Sequence, residues 1–206
     1  MKRPEPQALQ ALHRVRERLM KARTALVNEI RGLLHEYGIA LPQGLTKFRT
    51  LIASKLQHEQ AQLTALSTEV FWQRYDACLS LEKRLAYDDE QLAAIGRAHP
   101  ACQRLQTIPG IGPISASAIL AAVSDATPSK NGRQCSAWLG LAPREHSTGG
   151  TPRLLGSSTR GDGSRRKLFV HGARATLRWV DSKPDDRSRW LTALIARRGN
   201  NRAAVA

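Results

Sequence analysis

Apolar residues recur at helical spacing along the first half of the chain. From residue 8 to residue 37, Leu12, Leu19, Leu26 and Leu33 stand seven apart, and Val15, Ala22, Ile30 and Tyr37 follow them by three or four positions. A stripe sustained over about four heptads predicts a long amphipathic helix with a coiled-coil seam. The segment YGIALPQG then brings Gly38, Pro42 and Gly44 together, which stops that helix. A second pattern uses Phe48, Ile52, Leu56, Leu63, Leu66 and Val70, and a third uses Phe71, Tyr75, Cys78, Leu85, Leu92 and Ile95. No strong breaker separates these two, so they read as one long helix or as two. The stripes predict a helical hairpin or coiled coil packed on itself, and the same seam would serve to pair two copies.

The pattern changes after His99 and Pro100. In ACQRLQTIPGIGPISASAILAAV a helix is expected to end near Thr107, Pro109 to Gly112 to turn tightly, and a second helix to start near Pro113. Gly110 and Gly112 let the backbone turn and approach another surface, and Ala116, Ala118, Ala121 and Ala122 allow close helix packing. This is the helix–hairpin–helix pattern, over about residues 103–123, of sequence-independent DNA binding. There the free N–H groups opening the second helix meet a backbone phosphate. Pro109, Gly110, Ile111 and Gly112 are the candidate contacts, although Arg104 is the one cation nearby, and a plain helix-packing device fits the same residues. Next, KNGRQCSAWLGL reads as a short helix ending at Gly140, and APREHSTGGTPRLLGSSTRGDG as a loop or short β-ribbon rich in turn residues. SRRKLFVHGARATLRWV reads as a helix, DSKPDD as a break and RSRWLTALIARR as a last amphipathic helix. GNNRAAVA opens a new apolar pattern and stops, as a fragment would.

Charge sharpens the division. The 206 residues carry a net +15. Residues 126–206 hold 16 Lys/Arg against 5 Asp/Glu, and residues 1–125 hold 16 against 12. The surplus favours polyanionic partners, nucleic acid first, and assigns phosphate contact to the second part. No apolar run is long enough for a membrane span, and the basic N-terminus has no apolar core behind it, so neither a membrane protein nor a secretory signal is expected. Cys78, Cys102 and Cys135 are odd in number and widely spaced, which fits neither a disulfide framework nor a zinc site and suits a reducing cytoplasm.

From about residue 8 onward, the ordered series ALHRVRERLMKARTALVNEIRGLLHEYGI, LQTIPGIGPISASAILAAV, GRQCSAWLGLAPREHSTGGTPRLLG, TRGDG and VHGARA closely resembles the insertion-sequence transposases of the IS-110 family, most closely the IS-1111 branch. The family joins an N-terminal RuvC-like domain bearing a metal-binding acidic tetrad to a helical connector and a C-terminal transposase domain. The resemblance implies a mainly α chain holding the last two parts: a connector over 1–97 and a transposase domain over 98–206. The serine and Arg-Gly segment would cover about 140–178. No cofactor is expected in this chain, Mg2+ being expected only with the RuvC-like domain. Asp88, Asp89 and Glu90 are expected to be a solvated helix end rather than a metal site.

In the family's HS-x-GG position this chain has Ser147, which the resemblance makes the nucleophile for strand exchange. A serine hydroxyl needs a base or metal and cationic help at phosphorus. Arg144, Arg153 and Arg160 are candidates to clamp phosphate oxygens, Gly149 and Gly150 to admit the DNA backbone, and Arg133, Arg166 and Arg174 to extend the basic surface. His146 is an obvious base by position, but neighbouring side chains tend to point apart, which favours a loop or DNA-contact role.

Implied partners are the DNA of insertion-sequence ends and target, a structured guide RNA and further copies of the chain. On its own the chain is expected to bind nucleic acid without completing recombination. The alternatives are a non-catalytic helix–hairpin–helix DNA- or RNA-binding module and a helical interaction protein. Three departures from the family pattern point to a decayed copy or to local repacking: Thr159 in place of a lysine, Arg165 in place of a leucine on a packed helix face, and Ser129 in place of an aromatic residue. An unpartnered buried arginine would cost several kcal/mol.

Overall fold

The computed structural model describes residues 4–122 and 131–205. The expectations for Ser129 and Lys130 lie outside the described residues. The fold is mainly α, with a two-stranded antiparallel ribbon among the described residues. The chain divides into two compact units, Leu12–Gln91 and Met1–Ala11 with Leu92–Ala206.

The unit of residues 12–91 is built from α1 (Pro4–Glu36), α2 (Leu45–His58) and α3 (Ala65–Ala98). α1 ends where Gly38 adopts φ +75°, with Gly38 N–H donating to the His35 carbonyl and Ile39 N–H to the Leu34 carbonyl, both at 3.0 Å. This double bond pattern with a left-handed glycine caps the orphan carbonyls, and the apolar residue just beyond it, Ile39, is buried beside Leu34. The core holds Val27, Ile30, Leu34, Phe48, Ile52, Leu56, Phe71 and Cys78. Leu26 and Leu33 of the heptad stripe pack against it, so part of the predicted seam is used inside the unit.

The second and third apolar patterns fall on two helices, the break lying inside the second pattern, whose Leu66 and Val70 belong to α3. A one-turn 3-10 helix, Gln60–Gln62, follows α2, and the Thr64 hydroxyl then accepts from Ser67 N–H at 3.2 Å as a helix N-cap. Arg49 pairs with Glu82 at 2.5 Å and Arg74 with Glu29 at 3.3 Å. The acidic cluster departs from expectation. It lies within α3 rather than at its end, Asp88 is buried, and Asp89 pairs with Arg16.

In the unit containing residues 92–206, α4 (Pro100–Gln106) and α5 (Pro113–Ala122) are joined by a turn. α6 (Gly132–Trp138) leads into β1 (Pro143–Glu145) and β2 (Leu154–Ser157), followed by α7 (Gly163–Leu177), α8 (Asp186–Arg198) and α9 (Asn200–Ala203). Leu92, Leu139, Val180 and Leu194 are buried in it, and glycines make several of its close approaches. Gly96 of α3 meets Pro113, Gly110 in the 107–112 turn meets the Gly172 carbonyl of α7, and Gly140 meets Gly161. A Cβ added to Gly110 would stand 2.6 Å from the Gly172 oxygen, and one added to Gly140 would stand 2.6 Å from the Gly161 nitrogen. The glycine of the PGIG turn is therefore spent on one side against α7. Burial pushes the Cys102 thiol up, as burial helped by Glu82 does at Cys78, so both behave as small apolar core residues.

Candidate functional site

The segment around Ser147 is a β-hairpin. β1 and β2 pair antiparallel with Glu145 opposite Leu154 and Pro143 opposite Ser157. At the tip, Thr148 bridges Thr151 across Gly149 and Gly150, whose φ angles are +59° and +77°. Two consecutive positive φ values are what a two-residue hairpin turn of the primed type requires, and Gly-Gly supplies them without steric penalty. His146 N–H donates to the Arg153 carbonyl at 2.9 Å and locks the register just before the tip.

On this frame Ser147 is exposed and its hydroxyl is held from two sides. Its Oγ donates to Glu145 Oε1 at 2.5 Å and accepts from Arg153 N–H at 3.3 Å. A hydroxyl has one donor and two acceptor lone pairs, so one lone pair is left over. The sequence favours a loop or DNA-contact role for His146 over that of a base. Among the described residues its ring makes no hydrogen bond, and the group bonded to Ser147 is Glu145. The signal was available: residues two apart on an extended chain share a face, whereas neighbours face opposite ways.

The hairpin brings Arg144, Ser147, Gly149, Gly150 and Arg153 onto one element, and both arginines are exposed. Arg160 is exposed in the loop after β2, and Arg133 is exposed in the first turn of α6. Two other predicted contacts have structural partners. Arg166 Nη1 donates to the Leu139 carbonyl at 3.2 Å, at the C-terminal end of α6 where a cation is favoured. Arg174 donates to Asn201 Oδ1 at 3.2 Å. Pro109 and Gly112 are exposed, whereas Gly110 and Ile111 are half-buried. Pro109 and Gly110 line a hollow of about 250 Å³ together with Trp179, Lys183 and Arg187.

The expectation of an unpartnered arginine on α7 is overturned. Arg165 stands 5.1 Å from the Trp138 ring centre and 3.5 Å from an Asp162 carboxylate oxygen, so its charge is compensated by a π face and an anion. Asp162 also caps α7 by accepting from Arg165 N–H. Thr159, the other departure, sits at φ +55°, a left-handed conformation that a β-branched residue adopts only under strain.

No helix among the described residues is long and apolar enough to cross a membrane. Residues 102–190 match the transposase IS116/IS110/IS902 family. The chain is 48% identical over 207 residues to a probable family 20 transposase of Pseudomonas aeruginosa, an alignment covering all of this chain and 61% of that protein. It is 45% identical over 202 residues to the transposase for insertion sequence element IS1111A of Coxiella burnetii, covering 98% of this chain and 56% of the relative. It is 32% identical over 209 residues to the transposase for insertion sequence element IS1328 of Yersinia enterocolitica, covering 98% and 60%. The chain thus spans less than two thirds of the length of these relatives. By the match over residues 102–190 and these alignments along its whole length, the chain is similar to the transposases of the IS116/IS110/IS902 family.

Proposed function

We propose that this chain binds the DNA of an insertion sequence and supplies Ser147 as the nucleophile for strand exchange. The observation that carries the reading is the exposed Ser147 hydroxyl, held on a hairpin between a carboxylate and a backbone N–H. Ser147 Oγ attacks a backbone phosphorus, a DNA oxygen leaves, and a phosphoserine link conserves the bond for rejoining. Arg144 and Arg153 flank the serine and form no ion pair among the described residues, so their guanidinium groups are available to phosphate oxygens. Gly149 and Gly150 keep side-chain bulk away from the approaching backbone. The +15 net charge supplies the long-range attraction, and the exposed Pro109 and Gly112 offer a second contact beside the start of α5.

Among the described residues, no group of three His, Cys, Asp or Glu side chains could hold a metal. DNA binding and covalent capture are the two partial steps that test the reading. Incubation with labelled element ends is expected to give a complex that weakens steeply with salt, because phosphate contacts release counterions. It is also expected to give a phosphoserine link to DNA that Ser147→Ala abolishes. If Ser147→Ala traps as much DNA as the parent, the serine assignment falls and a non-catalytic nucleic-acid-binding module remains. A structured RNA from the element and further copies of the chain complete the proposed assembly. Gel shift with the element's transcript and sedimentation mass test each of them.

A further inference from the structure

We propose that Glu145 is the general base for Ser147, an inference that rests on Ser147 being the nucleophile. The hydroxyl proton already points at the carboxylate, with 2.5 Å between Oγ and Oε1. That length is typical of an O–H donor on a charged oxygen. The acceptor side of the hydroxyl is also held, by Arg153 N–H at 3.3 Å, which leaves one lone pair on an exposed atom for attack.

The surroundings argue against a carboxylate placed only for charge balance. Arg144 and His146 adjoin Glu145 on its own segment, and the facing strand segment carries Arg153. Glu145 nonetheless makes no ion pair with either arginine among the described residues, and its bonded partner is the serine hydroxyl. The hairpin fixes this pairing. Glu145 ends β1, Ser147 follows two residues on with its hydroxyl bonded to it, and the Gly-Gly turn with the His146–Arg153 bond holds the hairpin.

In the step, the Oγ–H proton passes to Glu145 Oε1 while the Oγ electron pair forms the bond to phosphorus. The bond from phosphorus to the leaving DNA oxygen breaks, and its electron pair stays on that oxygen, which takes a proton from water. Neutral Glu145 then releases its proton to solvent and the carboxylate is restored. Such base assistance is worth roughly 10²–10⁴-fold.

The direct test uses a small phosphoryl electrophile, diisopropyl fluorophosphate, on the full chain, with fluoride as the leaving group. Labelling is expected at Ser147, absent in Ser147→Ala and slower in Glu145→Gln by about 100-fold, within the usual range for a lost base. The parent rate is expected to fall in acid, and Glu145→Gln to lose that limb. Hydrogen exchange of the Arg153 N–H reports whether the glutamine variant keeps the hairpin.

Equal rates and equal pH profiles in parent and Glu145→Gln overturn the proposal, as does a parent that labels no faster than Ser147→Ala. DNA capture separates the two levels. If Ser147→Ala abolishes the phosphoserine link while Glu145→Gln forms it at the parental rate, the base assignment fails and the serine stands. If Ser147→Ala leaves the DNA link intact, the nucleophile itself was wrong.

Discussion

In residues 12–91 the close contacts are made by large side chains: Phe48, Ile30, Leu34, Ile52 and Leu56 are almost wholly removed from solvent. In the unit containing residues 92–206 Leu92, Leu139, Val180 and Leu194 are buried, and main chain also meets main chain, at Gly110 with Gly172 and at Gly140 with Gly161. The second region adds polar fixings: Arg166 on the end of α6, Arg165 over Trp138, and aspartate caps on α7 and α8. A side-chain core stores stability in filled volume, which truncation removes. Glycine contacts store it in the absence of volume, and leave surface positions free to carry arginine. The family's matched segment, 102–190, lies wholly within the second region.

Truncation in the first region gives the sharpest break. Phe48 is fully buried, and Phe48→Ala is expected to remove about 3–5 kcal/mol, the usual range for an aromatic core residue. Denaturant melts followed by hydrogen exchange check both the size and the place. The protection lost should centre on 12–91, and uniform loss across 92–206 would count against two separately packed units.

Enlargement should break the second region. Gly172→Ala drives a methyl into the Gly110 carbonyl, and Gly161→Ala drives one into the backbone at Trp138 and Leu139. Each is expected to destabilise by about 1–3 kcal/mol, the range for overpacking a site that resists movement. Gly112→Ala is the control, since nothing lies within 4 Å of its added methyl and its φ is not left-handed. Thermal melts in which all three alanines behave alike would refute the glycine-contact account.

The two regions also differed in how much of them could be foreseen. The heptad leucines and the Gly38 stop describe α1 well, because apolar period and a positive-φ glycine are local signals. Thr64 as the cap that splits α2 from α3 was missed, since isolated threonines rarely announce themselves. The burial of Asp88 depends on its neighbours in space, which spacing along the chain does not reveal. In the second region the alternation of glycine and cation was visible, but the partner of each glycine was not, because Gly110 and Gly172 are distant in sequence. Arg165 looked like an uncompensated charge until Trp138 and Asp162 came beside it. At the hairpin, Ser147 stood out by resemblance, whereas Glu145 emerged only in the bond it accepts from the serine hydroxyl.

A smaller effect tests the polar fixings. Arg166 is half-buried and its bond to the Leu139 carbonyl ties α7 to the end of α6. Arg166→Met keeps much of the apolar stem and removes the bond, with an expected loss of about 1 kcal/mol, typical of one net hydrogen bond. Arg133→Met, on the exposed start of α6, should leave the melting temperature unchanged while weakening DNA binding. If both variants lose stability equally, the inward role of Arg166 is wrong.

The smallest effect concerns pH and α8. Asp185 precedes that helix, and its carboxyl is held below the usual carboxylate range, first by the Ser188 hydroxyl and then by Ser188 N–H, which donates to Oδ1 at 2.7 Å. A folded-state value below the unfolded one means the ionised cap favours the folded form. That contribution is complete above the unfolded value and is lost as pH falls through the folded value. Asparagine caps helices about as well as aspartate but does not titrate. Hydrogen exchange in α8 should therefore show Asp185→Asn close to the parent at neutral pH, with the parent losing protection relative to the variant as the solution turns acidic. A constant ratio across the acid range would mean that the cap acts by geometry alone. In that case the charge at this helix end, unlike the arginine at the end of α6, contributes nothing to how the second region holds together.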